Sequence, residues 1–315
     1  MDKKINRCLE DNIKMENING QMWYDDQGQP IQAHGGCILH HGGIWYWYGE
    51  NKGADNVPGT SRVDVIGISC YSSKDLHTWH DEGLVLPAGK KKDSLLRPEG
   101  VCERPKVIYN KKTRKYVMWM HLDDANYYSA KVGVAVSDNP TGPFELIREM
   151  QPNRQDSRDM TLFLDEDTAW LIHSSNWNKT LNISRLNEDY TDVDGFYGSV
   201  LIDQEREAPA LVKHEGMYYM VTSGCTGWAP NSALYATSGY LTGQWKLIDN
   251  PCEGPGYRNT FGGQSTFIFE VKGQYYLMLD HWKPKDLKTS GYSILPLTID
   301  AGVLTVKWIE QINVM

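Results

Sequence analysis

Phenylalanine is scarce in this 315-residue chain, with 6 residues against 11 tryptophans and 18 tyrosines. The deficit leaves mostly rings that carry a polar handle beside an apolar face. Strands favour aromatics of any kind. The excess of Trp and Tyr also suits a polyhydroxylated ring ligand. Cysteine occurs 6 times (Cys8, Cys37, Cys70, Cys102, Cys225, Cys252) and never as CxxC, so zinc and thioredoxin chemistry are unsupported. No basic run exceeds Lys90-Lys91-Lys92, which reads as a solvated loop, and the net charge is −8. An acidic chain without a basic stripe argues against nucleic acid and anionic membrane surfaces as partners. No stretch approaches the roughly 20 apolar residues of a membrane span. The opening MDKKINRCLEDNIKMENING lacks the apolar core of a secretory signal. That points to a cytoplasmic protein with reduced thiols, or to a secreted one if a leader was trimmed. Linker-like runs of Pro, Ser or Gly are missing, and no segment holds an apolar period of 3.6.

What the chain does have is a phrase repeated five times: a polar residue, an apolar strand, a tight turn and an aromatic-rich strand. The copies are Gln32-AHGGCILHHGGIWYWYGE, Glu103-RPKVIYNKKTRKYVMWM, Asp159-MTLFLDEDTAWLIHSS, Glu207-APALVKHEGMYYMVTS and Gln264-STFIFEVKGQYYLMLD. A second phrase follows the first four copies: ISCYSSKDLHTW, VGVAVSDNPTGPFELI, LNISRLNEDYTDVDG and SALYATSGYLTGQWKLI. It fits the third and fourth strands of a sheet. Its fifth copy, SGYSILPLTIDAGVLTVKW, is looser, as terminal repeats often are. The expectation is an all-β chain folded as a single five-bladed β-propeller over residues 1–315. Residues 1–20 form a lead-in segment, and no further module is attached.

The first strand of each blade lines the channel, so its leading residues converge. They are Gln32 or His34, Glu103, Asp159, Glu207 and Gln264. Each acid alone has an ordinary explanation, because Glu103 precedes Arg104 and Glu207 follows Arg206. Three acids at equivalent places are harder to dismiss. Crowded, partly desolvated carboxyls push their pKa values apart, an arrangement that clusters at functional sites. Two carboxyls with separated pKa values across a sugar-sized gap suit glycosidic cleavage.

The motifs SRDMTLF, ISRLNEDY, REAPALVK, TSGCTGWAPN, NPCEG, TFGGQSTF and DHWKP, with IQAHGG and YWYGEN, resemble glycoside hydrolase family 43. They resemble most its subfamily 24 of exo-β-1,3-galactanases, with subfamily 34 nearby. The likeness runs from about Gln32 to Pro296. It implies an inverting hydrolase that releases terminal galactose from β-1,3-linked galactan or galacto-oligosaccharides. The alternatives are an α-L-arabinofuranosidase or β-galactofuranosidase of the same family, and an idle sugar-binding propeller.

By this resemblance Glu207 is the general acid and Asp159 tunes and orients it. Most of the family has a first-blade aspartate base. Here Gln32 stands where that acid is expected, and a neutral amide is a poor base. The expectation is therefore Glu103 as base and Gln264 as water holder. The alternative gives the base role to Gln264 as an imidic-acid tautomer. Glu50, Tyr127, Asn176, Thr226 and Trp228 are candidate sugar contacts, together with Gln32. Trp177 and Trp282 read equally well as core. His34 reads as a satisfied structural residue or as a ligand contact. Two arginines usual in the subfamily are replaced at His281 and Gly291. The chemistry requires no cofactor, and a structural calcium ion near the channel is compatible with such propellers. Oligomeric state is not readable.

Overall fold

The structure is a computed structural model that describes residues 17–89 and 93–312. Cys8, Lys90-Lys91-Lys92 and most of the expected lead-in lie outside the described residues.

Every copy of the repeated phrase folds as an antiparallel hairpin and runs on into further strands. The first sheet holds β1 (His34–His41), β2 (Ile44–Glu50), β3 (Gly67–Ser73) and β4 (His80–Pro87). The second holds β5 (Val101–Asn110), β6 (Lys115–Asp123), β7 (Lys131–Ser137) and β8 (Glu145–Met150). The third holds β9 (Met160–Asp165), β10 (Thr168–Ser175), β11 (Thr180–Leu186) and β12 (Val193–Val200). The fourth holds β13 (Arg206–His214), β14 (Met217–Gly224), β15 (Leu234–Ser238) and β16 (Lys246–Leu247). The fifth holds β17 (Cys252–Glu253), β18 (Gln264–Val271), β19 (Gln274–His281), β20 (Gly291–Asp300) and β21 (Val303–Lys307). In that sheet β17 pairs parallel to β21, an addition the looser fifth copy did not announce. The remaining helical pieces are short 3-10 turns among the described residues, and none is long and apolar enough to cross a membrane.

Turn chemistry accounts for the hairpins. Gly42 and Gly43 join β1 to β2 with φ of 60° and 80°, the doubly left-handed geometry that matches strand twist. Strands β1, β5, β9, β13 and β18 touch one another in a closed circle, so the five sheets make a five-bladed propeller. Alternation along the strands sends apolar side chains between adjacent blades, where they form five clusters. In the cluster between the fifth and first blades, Trp23, Trp47 and Trp79 are completely buried. Each such ring removes roughly 150–250 Å² from water, worth about 4–6 kcal/mol as an upper bound.

The same joint closes the ring. Ile18 bridges Gln311 and Gln21 bridges Tyr292. Asn19 donates from Nδ2 to the carbonyls of Ile294 (3.2 Å) and Ile309 (3.0 Å), and its Oδ1 accepts the Ile294 amide at 2.9 Å. One side chain thus ties the early chain to the last sheet.

Candidate active site

Four of the five inner strands are bulged just after they begin. The ladder slips between His34 and Cys37, Glu103 and Lys106, Glu207 and Ala210, and Ser265 and Phe267. In the first three the bulge contains a left-handed residue: Gly35 (φ 58°), Arg104 (φ 56°) and Ala208 (φ 53°). A bulge bends its strand and re-aims a side chain. By this register the first-blade counterpart of Glu103 and Glu207 is His34 rather than Gln32. Each leader also faces the end of the aromatic strand beside it. His34 opposes Glu50, Glu103 opposes His121, Glu207 opposes Ser223 and Gln264 opposes Asp280. A second polar circle therefore backs the first.

Five of these eight residues help to line a pocket of about 280 Å³, whose walls are Glu50, Glu103, Arg104, His121, Tyr127, Arg158, Asp159, Asn178, Glu207, Gly227, Trp228, Gln264 and Trp282. This is near the low end of small-molecule pockets, which start at roughly 300 Å³. A larger cavity of about 500 Å³ opens at the turn ends of the inner strands, lined by residues such as Tyr109, Phe163 and Tyr275. It holds none of the expected site residues, so volume alone does not locate the chemistry.

Arg104 is the hub of the pocket. Its Nε donates to Asp159 Oδ1 at 3.1 Å and its Nη2 lies 2.9 Å from Asp159 Oδ2. The same Nη2 donates to Gln264 Oε1 at 2.6 Å, and Nη1 donates to the Ser265 carbonyl. Trp282 Nε1 also donates to Gln264 Oε1 at 2.9 Å. Arg and Trp nitrogens only donate, so the amide oxygen must face them. The amide nitrogen then donates to Glu207 Oε1 and Ser223 Oγ, each at 3.0 Å. Asn178 Nδ2 donates to the other Glu207 oxygen at 3.2 Å.

The carboxyls are driven apart electrostatically. Burial raises Glu207 to about 8, the Asp159 charge adds to the rise, and Arg104 opposes it. Burial also works to raise Glu103, but the His121 hydrogen bond and the Lys52 charge outweigh it and bring Glu103 down to about 2. Its oxygens accept from Tyr127 Oη at 2.8 Å and contact His121 Nδ1 at 3.3 Å. His121 reaches Asp123 Oδ2 with Nε2 at 3.0 Å. Burial works against the imidazolium, yet the bonds to Asp123 and Glu103 lift His121 to about 9. Burial lifts Glu50 to about 7 despite Lys52 Nζ at 2.6 Å. A Cβ at position 35 would meet Glu50 Oε1 at 2.5 Å and the Arg104 backbone nitrogen at 3.2 Å, so any larger residue there would have to displace the Glu50 carboxyl.

Seven of the eleven expected site residues come together in the pocket: Glu207, Glu103, Gln264, Asp159, Glu50, Tyr127 and Trp228. Four do not line it. Gln32 lies two residues before the bulge, and its Nε2 donates outward to the Lys288 carbonyl. His34 is fully buried, 4.5 Å from and stacked on Tyr292, with Nδ1 on Asp280 (3.2 Å) and Nε2 near Tyr292 Oη (3.0 Å). Burial lowers its pKa against the pull of Asp280. Asn176 sits on an exposed turn where its backbone N–H donates to Asp156. Thr226 caps its own loop by donating to the Ala229 carbonyl at 2.6 Å.

Sequence reasoning missed Arg104, His121, Arg158 and Asn178, and left Trp282 undecided. Neither flanking arginine pairs with its neighbouring acid. Arg104 turns to Asp159, and Arg206 bonds Thr222 through Nε (3.0 Å) and Nη2 (2.8 Å). The ends of the aromatic strands (YGE, MWMH, VTS, MLD) carried a signal, since they supply Glu50, His121, Ser223 and Asp280. Among the described residues no group of three or more His, Cys, Asp or Glu is placed to hold a metal ion. The calcium expectation therefore gains no ligand set.

Residues 57–291 match the family described as glycosyl hydrolases family 43. The chain superposes on a β-1,3-galactosidase of that family, solved with galactodeoxynojirimycin, at a TM-score of 0.90 and 39% identity. The match covers 94% of this chain and 100% of that one. A variant of the exo-β-1,3-galactanase of Phanerochaete chrysosporium, solved with β-1,3-galactotriose, gives 0.85 at 34% identity over 92% of this chain and 66% of that one. The exo-β-1,3-galactanase of Clostridium thermocellum gives 0.82 at 35% over 92% and 64%. No curated protein matches the chain.

Proposed function

The chain belongs to glycoside hydrolase family 43, and from that premise we propose that it releases terminal galactose from β-1,3-linked galactan or galacto-oligosaccharides with inversion. The observation that carries the reading is the pair of unlike carboxyls in one pocket. Glu207 at about 8 is protonated at neutral pH, and Glu103 at about 2 is ionised. Separated pKa values of this kind assign acid and base.

In this reading Glu207 protonates the glycosidic oxygen. Asp159 keeps that proton in place by its charge, and Gln264 and Asn178 hold the carboxyl in line. Glu103 takes the proton of the attacking water on the other face of the sugar. Its clamp by His121, Lys52 and Tyr127 makes it permanently ionised but only weakly basic. Gln264 has both amide hydrogens and both lone pairs engaged. To hold the water it must release one partner. The imidic-acid alternative is disfavoured here, because two N–H donors already face the oxygen that would carry the extra proton. A pocket of this size supports the reading of a single terminal sugar, with the five-bladed unit carrying the whole reaction.

The test is β-1,3-galactobiose followed by NMR. Inversion of a β-linkage must release α-galactose first. Binding without release would leave only a sugar-binding propeller. Turnover confined to chromogenic furanosides would overturn the galactose assignment.

A further inference from the structure

Outside the pocket proper, two exposed aromatic side chains share one rim. Trp177 is 59% exposed and Tyr128 is 72% exposed. Their rings stand 5.8 Å apart at 81°, forming a corner. The Trp177 turn is strained: Asn176, Trp177 and Asn178 have φ of 50°, 56° and 61° without a glycine among them. Such strain persists only where the surroundings impose it and often marks function.

The surroundings here are polar. Asp156 accepts from Ser175 Oγ (2.7 Å), the Asn176 amide (2.7 Å) and the Trp177 amide (3.1 Å). It also pairs with Arg158. The Arg158 guanidinium lies 4.4 Å from the centre of the Trp177 ring, and its Nη2 donates to the Tyr127 carbonyl at 3.1 Å. One arginine therefore fixes both the tryptophan turn and the tyrosine loop. An exposed ring held this firmly is preorganised to be used.

We propose that Trp177 and Tyr128 form a stacking platform for the galactosyl units on the leaving-group side of the scissile bond. The inference rests on the function proposed above. Its direction comes from the acid: the leaving group must lie on the Glu207 side, because Glu207 protonates its oxygen. Asn178, which bonds Glu207, follows Trp177 directly in the strained turn. Arg158 and Asn178 both line the pocket, so the platform continues the pocket on that side. The apolar face of a galactopyranose, with its C3, C4 and C5 hydrogens, is what an exposed indole stacks on.

The experiment compares kcat/KM on β-1,3-galactotriose and on β-galactosyl fluoride, which has no sugar leaving group. Trp177→Ala should lose about tenfold on the triose, equivalent to ~1.4 kcal/mol, and nothing on the fluoride. Tyr128→Ala should show the same split with a smaller loss, and Trp177→Phe should recover most of the activity. Equal losses on both substrates, or none on either, overturn the platform while leaving the function standing. A wild-type protein inert on the triose but active on other glycosides overturns the substrate reading and the platform with it.

Discussion

Gln264 donates an amide hydrogen to Glu207 at 3.0 Å, so a neutral side chain of the fifth blade sets the orientation of a carboxyl group on the fourth. The orientation of that amide is itself dictated by Arg104 and Trp282, which face its oxygen. One carboxyl group is thus positioned by a chain of partners reaching from the second blade through the fifth to the fourth.

The acid is testable by its leaving group. Glu207→Gln should lower kcat on β-1,3-galactobiose by about 10²–10⁴-fold, the usual worth of a positioned general acid. Fluoride leaves without a proton, so β-galactosyl fluoride should be hydrolysed nearly as well as by the wild type. Parallel loss on both substrates would mean that Glu207 does something other than donate a proton.

The pH profile tests Asp159. The wild-type alkaline limb of kcat/KM should lie near the Glu207 value of about 8, since activity ends when the acid deprotonates. Asp159→Asn removes a negative neighbour and leaves the Arg104 charge uncompensated. Both changes favour the Glu207 anion, so the limb should move to lower pH. A limb that stays or moves up contradicts the assigned coupling.

Glu103 and His121 give the opposite sign. Loss of the His121 cation in His121→Gln removes a force that holds Glu103 near 2, so the acidic limb should move to higher pH. Glu103→Gln should lower kcat by about 10²–10⁴-fold. Near-normal turnover of that variant would remove Glu103 from the base role and return it to Gln264.

Ring closure predicts a change in stability without a change in chemistry. Asn19→Ala strips hydrogen-bond partners from the buried backbone of Ile294 and from the part-buried carbonyl of Ile309. The cost should be about 1–3 kcal/mol, read as a lower urea midpoint at an unchanged slope. Activity per folded molecule should stay at the wild-type level. A midpoint equal to that of the wild type would show that Asn19 does not latch the ring.

The sequence announced the five blades because a hairpin is a local pattern, and each hairpin was written with the same alternation and turn. It announced Glu103, Asp159, Glu207 and Gln264 because each leads an inner strand. What it hid depends on register. The bulge at Gly35 moves the first-blade position from Gln32 to His34, which the core then keeps. Three left-handed residues bring Asn178 to the acid and leave Asn176 outside. Arg104 looked like the partner of its neighbour Glu103, and only a left-handed backbone turns it to Asp159 and Gln264 instead.

The pocket draws on every blade: Glu50 from the first, Glu103 from the second, Asp159 from the third, Glu207 from the fourth and Gln264 from the fifth. A fragment of the chain that lacks a blade lacks part of the pocket. A nascent chain has an incomplete pocket until its last sheet docks. On heating, the loss of hydrolysis reports whichever blade loosens first, which makes turnover a sensor of the weakest joint in the whole ring.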